Sequence, residues 1–149
     1  MRDHLDLRVV TNNIDVALTL SEAPQVEVHM TGGLLRHNDR DVVGPDALRF
    51  FEKFYASHAV VGAGALDPDK GILDFSYSEA QLTMKLLENA RLKFLAADSS
   101  KWSRDASVRV APLSAVTHFF TDMLPDDGRA AAAFESAGTI VELCGGDAE

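Results

Sequence analysis

Cysteine is all but missing from these 149 residues. Cys144 stands alone, so no disulfide can close within the chain and no second thiolate exists to complete a zinc site. It falls near the end of a terminal strand-like run, Thr139 to Cys144, where packing rather than chemistry is expected of it. Basic residues are scarce as well: 14 Lys and Arg face 23 Asp and Glu, for a net charge of −9. Binding to a phosphate backbone needs clustered cations, and no basic stripe is present, so this surface is not expected to hold nucleic acid. Two local concentrations exist, Arg36-His37-Arg40 and Lys101-Arg104-Arg109, and acids interrupt both. The first reads as solvated surface; the second lies beside a strand end and reads either as site or as surface. Long apolar runs are lacking too. Nothing approaches the roughly 20 residues that span a bilayer, and Met1-Arg2-Asp3-His4 leads straight into a strand with no signal peptide, so a cytoplasmic domain is expected.

What the chain does have is a repeated pattern. Short apolar runs end in small polar or charged residues: Val9-Val10 into Thr11-Asn12-Asn13, Val26 to Met30 into Thr31-Gly32-Gly33, and Ala59-Val60-Val61 into Gly62-Ala63-Gly64. Phe94 to Ala97 runs into Asp98-Ser99-Ser100-Lys101, and Phe119-Phe120 into Thr121-Asp122. Helix-like stretches follow several of them, which is the pattern of parallel strands whose carboxyl ends meet along one sheet edge. Ligands of open α/β sheets bind there. One domain over residues 1–149 is therefore expected, with Asn12, Gly32, Gly62 and Lys101 around one anion-receptive rim.

Local signals place the elements. Asn12 or Asn13 can cap a helix with Ile14, Ala17 and Leu18 on one face, closed by Pro24. Gly44-Pro45-Asp46 starts a second helix, with Ala47, Phe51 and Phe54 at core spacing. Of the aromatic pair Phe50 and Phe54, at least one is expected in the core, and the pair is a candidate contact between copies. Ala59 to Val61 reads as the most continuously buried strand, and Asp67-Pro68-Asp69-Lys70-Gly71 as a mobile polar turn. Ser76 or Ser78 starts a helix through Asn89 with Ala80, Met84 and Leu87 inward. Val108 to Val116 and Thr117 to Phe120 read as extended pieces around Pro112, Pro125 to Ala137 as a helix ended by Gly138, and Thr139 to Leu143 as a last strand.

Candidate chemistry is sparse. Gly62-Ala63-Gly64 lacks the third glycine and the following helix of a dinucleotide fingerprint, so a tight backbone path explains it better. The histidines, His4, His29, His37, His58 and His118, show no metal-ligand spacing, and no serine occupies a nucleophile elbow. Glu79 behind Tyr77 reads as a good helix start or as a polyol-binding pair. Asp98-Ser99-Ser100-Lys101 suits a phosphorylated polyol by charge and hydroxyls together, or is an exposed turn with an Asp-Lys pair.

Taken in order, Val9-Val10-Thr11-Asn12-Asn13, Thr31-Gly32-Gly33-Leu34-Leu35-Arg36, Val43-Gly44-Pro45, Leu66-Asp67-Pro68 and Ala97-Asp98-Ser99-Ser100-Lys101-Trp102 resemble the effector-sensing domain of DeoR-family transcriptional regulators. Ile72 to Glu79 and the ending Val141-Glu142-Leu143-Cys144 are most similar to members that govern glycerol-3-phosphate metabolism. The resemblance implies an α/β fold, a mostly parallel sheet with helices on both faces, related to ribose-5-phosphate isomerase, glucosamine-6-phosphate deaminase and coenzyme A transferase folds. By matching position it implies a ligand site of Thr11, Asn12, Asn13, Thr31, Gly32, Gly33, Gly62, Glu79, Asp98 and Lys101. Many relatives have Asp-Gly or Ser-Gly where Gly64-Ala65 stands here, and a lysine in place of Thr83. Relatives also carry a winged helix-turn-helix and an Asp-x-Gly-Thr-Thr phosphate loop ahead of the first strand; neither occurs in this sequence, which reads as beginning inside the sensor domain.

The resemblance further implies sensing of a phosphorylated metabolite, glycerol 3-phosphate or a similar compound; no cofactor, metal or membrane partner is expected. Operator DNA would be reached only through the N-terminal module, and homo-oligomers are expected. The competing expectation is a sugar-phosphate isomerase or deaminase-like enzyme on the same sheet, with Glu79 or Asp98 as general base.

Overall fold

The computed structural model describes residues 6–145, and the chain divides into two compact units, Met1–Phe54 and Tyr55–Glu149. His4 and the rest of the opening segment lie outside the described residues.

The first unit begins with a parallel strand pair, β1 (Leu7–Thr11) and β2 (Val26–Met30), joined by helix α1 (Ile14–Ser21) and registered Leu7 to Val26 through Thr11 to Met30. Asn13 is the cap of α1: its side chain accepts from the Val16 N–H at 2.9 Å. Buried Leu20, Ala23 and Val26, with Leu7, Val9 and Val28 packed on them, hold helix to sheet. An antiparallel hairpin follows, β3 (Leu34–Arg36) with β4 (Asp41–Val43), then α2 (Pro45–Phe51). Gly44 sits at φ +108 ahead of Pro45, whose ring presets the first helical turn. Ala47 and Phe51, one turn apart, are fully buried, while Phe54 and Phe50 are half-buried with ring centroids 5.0 Å apart.

The second unit is a four-stranded parallel sheet in the order β11-β10-β8-β5, built from β5 (Ala56–Val61), β8 (Ala90–Ala96), β10 (His118–Thr121) and β11 (Ile140–Leu143). A smaller antiparallel sheet combines β6 (Ala65–Asp67), β7 (Gly71–Asp74) and β9 (Val108–Ala111). Helices α3 (Tyr77–Glu88) and α4 (Arg129–Ala137) contribute Ala80, Leu87 and Phe134 to a core with Val61, Leu95 and Phe119. Ser76 caps α3, and Gly138, at φ +69, ends α4. The expected mostly parallel α/β sheet is thus present.

Several local expectations are corrected. Val60 is 56% exposed, because side chains alternate faces along a strand and it lies on the opposite face from buried Ala59 and Val61. Leu18 and Met84 are exposed too; α1 buries Leu20, and α3 buries Ala80, Leu82 and Leu87. Cys144 is exposed beyond edge strand β11, so it is not a packing residue. The last helix starts at Arg129 rather than Pro125, since Gly128 adopts a left-handed conformation and the Asp127 carboxylate accepts from the Arg129 N–H. After Pro112 the chain forms a short 3-10 turn, Leu113–Ala115, instead of continuing extended. The Asp67–Gly71 turn carries several hydrogen bonds. Asp67 accepts from the N–H groups of Asp69 and Lys70, Arg109 donates to the Lys70 carbonyl at 2.7 Å, and Arg129 pairs with Asp69. Gly64 follows the tight path expected of it: an added Cβ would lie 3.1 Å from Asp74 Cα, and β6, not a helix, comes next.

Candidate functional site

The sequence-derived site residues fall into two groups, one on each unit. On the first unit, Thr11 at the end of β1 is buried and its hydroxyl accepts from the Asn13 N–H at 3.0 Å. Asn12 donates to the Val42 carbonyl at 3.1 Å, while its own carbonyl accepts from Val42 N–H at 2.8 Å. Asn13 donates to Asp41 at 2.8 Å and to the Asp39 carbonyl at 3.1 Å, in addition to capping α1. Both asparagine side chains are therefore committed to joining the β3–β4 hairpin to the β1–α1 junction. Thr31, Gly32 and Gly33 at the end of β2 are different: they line an open groove of about 450 Å³ whose other wall is α2.

The Asp41 carboxyl bonded by Asn13 is half-buried. Desolvation pushes it above the usual carboxylate range, the Asn13 hydrogen bond pulls it back, and neighbouring Asp39 raises it further. An acid that binds its proton more tightly when folded stabilises fully below its unfolded pKa, and that contribution is lost as pH rises through the folded pKa. Asp41→Asn removes this loss. The stability difference between variant and wild type, read from urea melts, is expected to move in the variant's favour from about pH 3 to pH 6. A difference that does not vary with pH contradicts this.

On the second unit, Gly62 follows β5 and lies beside the end of β8, where an added Cβ would stand 3.9 Å from the Ala96 carbonyl. Asp98 to Lys101 leave β8 at the same edge as a 3-10 turn, Ser99–Ser103. Asp98 caps that turn, accepting from the Ser100 N–H at 2.9 Å. Asp122, at the end of neighbouring β10, braces it from the other side, accepting from Ser99 N–H at 2.6 Å and from the Ser99 hydroxyl at 2.9 Å. Hydrogen bonds from Ser100 hold Asp98 below the ordinary carboxylate range, and those from Ser99 do the same for Asp122. Both acids are therefore anionic acceptors at neutral pH. The Lys101 ammonium, half-exposed, forms no ion pair with a described residue.

Glu79 stands in the first turn of α3, where its N–H donates to the Ser76 hydroxyl at 3.4 Å. The tail of that helix meets the amino end of the sheet, because Ala56 N–H donates to the Asn89 carbonyl at 2.8 Å. Twelve helical residues rise about 18 Å, which carries Glu79 toward the carboxyl edge. Tyr77 is exposed, and its hydroxyl accepts from the Gln81 amide at 3.2 Å. Among the described residues no group of histidine, cysteine or acidic side chains is placed to hold a metal, and no helix is long and apolar enough to cross a membrane.

Asp122 was expected only as a strand-end residue, and Arg49 and Lys53 were not among the expected site residues. Asp122 ends an apolar run like the other site segments, so the signal was present. Arg49 and Lys53 are four residues apart on the α2 side of the groove, a spacing that points both to one helical face.

A parallel sheet with a hydroxyl-rich, cation-bearing edge defines an α/β small-molecule sensor or an enzyme of the isomerase and deaminase type; the comparisons decide between them. Residues 1–123 match the DeoR C terminal sensor domain, so the chain belongs to the DeoR family of transcriptional regulators. It is a sensor domain, not an enzyme, with the isomerase/deaminase-like fold of that family. It is 36% identical over 123 residues to the glycerol-3-phosphate regulon repressor of Haemophilus influenzae, covering 83% of this chain and 48% of that protein. The HTH-type transcriptional repressor CsqR of Escherichia coli is 35% identical over 123 residues, 83% of this chain and 47% of that protein. The HTH-type transcriptional regulator GlpR of Haloferax volcanii is 36% identical over 133 residues, 89% of this chain and 51% of that protein. The chain spans about half the length of the curated relatives it matches.

Proposed function

We propose that this sensor domain binds a phosphorylated polyol or sugar phosphate, glycerol 3-phosphate first among them, and thereby controls operator binding by a separate DNA-binding module. The observation that carries the reading is the turn after β8: Asp98 and Asp122 brace its backbone, and Lys101, whose charge acts on Asp98 but which forms no ion pair among the described residues, stands at the strand-end edge. Lys101 then neutralises phosphate charge, and Asp98 accepts hydroxyl hydrogen bonds. Thr11, Asn12 and Asn13 serve this reading as the scaffold of their loop, Gly62 by leaving room beside Ala96, and Glu79 as a second acceptor. The names of two relatives, glycerol-3-phosphate regulon repressors of Haemophilus influenzae and Escherichia coli, support the choice of ligand. The acidic surface supports assigning DNA contact to another module. A tenfold change in operator affinity requires the effector to discriminate two arrangements by about 1.4 kcal/mol. Release of the operator is the expected sign.

Calorimetry with glycerol 3-phosphate tests this. Saturable binding that weakens by about tenfold or more in Lys101→Ala is expected, the loss of one charge-assisted hydrogen bond. Wild-type heat indistinguishable from dilution, or binding untouched by Lys101→Ala, refutes it. Following the ligand by NMR in the same sample separates sensing from turnover, because an isomerase or deaminase-like protein converts it.

A further inference from the structure

Strand β5 closes one side of the four-stranded sheet, and among the described residues β8 is the strand paired with it. An edge strand turns a row of unpaired N–H and C=O groups outward, a template on which another strand can pair. Native edges are ordinarily blunted by short length, a charged side chain, a proline or a bulge. The opposite edge, β11, has four residues and Glu142 among them. The edge strands of the other sheets each contain an arginine, aspartate or glutamate. β5 has none of these devices. Its six residues, Ala-Ser-His-Ala-Val-Val, make it the longest edge among the described residues. Its register with β8 is constant from Ala56 and Ala90 to Val61 and Leu95.

Alternation places Ala59 and Val61 in the core and leaves His58 and Val60 outside. The His58 ring lies tilted against Phe94, centroids 5.4 Å apart, and its Nδ1 is hydrogen-bonded with the Ser57 hydroxyl at 2.9 Å. No carboxylate stands on this strand or near it in sequence, because the chain has no acid between Glu52 and Asp67. In a protein of net charge −9, two copies repel one another over most of their surface, and an acid-free edge is where that repulsion is weakest. The open backbone calls for a strand, and the charge distribution favours a second copy of the same chain.

We infer that β5 pairs edge to edge and antiparallel with β5 of a second copy about a two-fold axis, joining the two parallel sheets into one. Such a contact is self-complementary, since residue i meets residue j and j meets i. An axis perpendicular to the sheet brings like faces together, so paired positions share a face. With Ala59 on the axis, Val60 stands opposite the partner's His58, and Ser57 opposite the partner's Val61. No pair holds a carboxylate or an ammonium group, and the small alanine sits at the centre of the contact. This surface is separate from the Phe50 and Phe54 pair, whose half-buried rings pack on each other.

Sedimentation equilibrium of the intact protein over a range of concentrations, together with amide hydrogen exchange, tests the pairing. A reversible dimer is expected, with the outward amides of β5 exchanging more slowly as concentration rises. Val60→Lys sets an ammonium opposite the partner's His58, by symmetry at both ends of the contact, and restores the charge that guards natural edges. Its dimer dissociation constant is expected to rise by about tenfold or more. Val60 is 56% exposed, so the lysine stays hydrated in the monomer, and unchanged circular dichroism and melting in dilute solution verify the fold. Ile140→Lys is the matched control. It stands on β11 at the same level of the ladder, 51% exposed, and is expected to leave the dimer intact. A wild-type protein that stays monomeric at every concentration overturns the inference. So does a dimer that Val60→Lys leaves intact or that Ile140→Lys dissociates equally, the results expected if another surface joins the copies. Should Val60→Lys not fold, wild-type exchange decides: β5 amides whose rates ignore concentration refute the pairing.

Discussion

Phe119→Ala is expected to cost the second unit about 3–5 kcal/mol, the range for truncating a fully enclosed aromatic. The ring has no exposure. It stacks on Phe134 of α4 with centroids 4.9 Å apart and meets Trp102 edge-on at 6.2 Å, so sheet, helix and the turn after β8 all converge on it. Its neighbours across the ladder are Leu95 and Val141. A cavity there cannot be filled by one neighbour relaxing, because each is anchored to a different element. Domains of this size hold only about 5–15 kcal/mol in all, so the variant is expected to sit near its folding limit. Phe119→Leu, which retains most of the volume, is expected to cost far less. Urea unfolding measures both, and a loss under about 1.5 kcal/mol for the alanine variant contradicts the packing described. Because Trp102 abuts Phe119, the same substitution is also expected to disturb the Asp98–Lys101 turn.

Gly71→Ala carries the second large effect. Gly71 opens β7 at φ +94, and an added Cβ would collide with the Ala111 carbonyl and lie 2.8 Å from Pro112 Cα. The obstacle is backbone of the paired strand β9, which cannot swing aside as a side chain can. The unfavourable φ costs about 1–3 kcal/mol, and displacing β9 adds to it. Gly138→Ala is the matched control: φ is +69 there, but nothing stands within 4 Å of the added carbon. It isolates the backbone preference, expected at about 1–2 kcal/mol. Comparable melting temperatures for the two variants refute the collision at β9.

Much of the local structure was legible because its causes are local. Asn13 and Ser76 as caps, Pro45 in a first turn and Gly138 as a stop each act through atoms within a few residues, and each stands where the pattern puts it. The apolar runs became strands for the same reason. Burial was less legible. Val60, Leu18 and Met84 look like core by type, but each is exposed among the described residues. The candidate site divides likewise. Asp98 and Lys101 were visible as one motif, whereas the brace from Asp122 is a contact across 23 residues.

Sequence by itself determined the alternation of strands and helices and the small polar and glycine-rich segments at strand ends, since periodicity, capping and turn chemistry operate over a handful of neighbouring positions; the family was visible only as a likeness of motifs to known proteins. Tertiary structure alone decided that Asn12 and Asn13 pin a hairpin, that Asp122 braces the turn holding Lys101, and that Arg49 and Lys53 face Gly32 and Gly33. Those outcomes depend on which distant segments pack together, and one chain's local preferences carry no record of that.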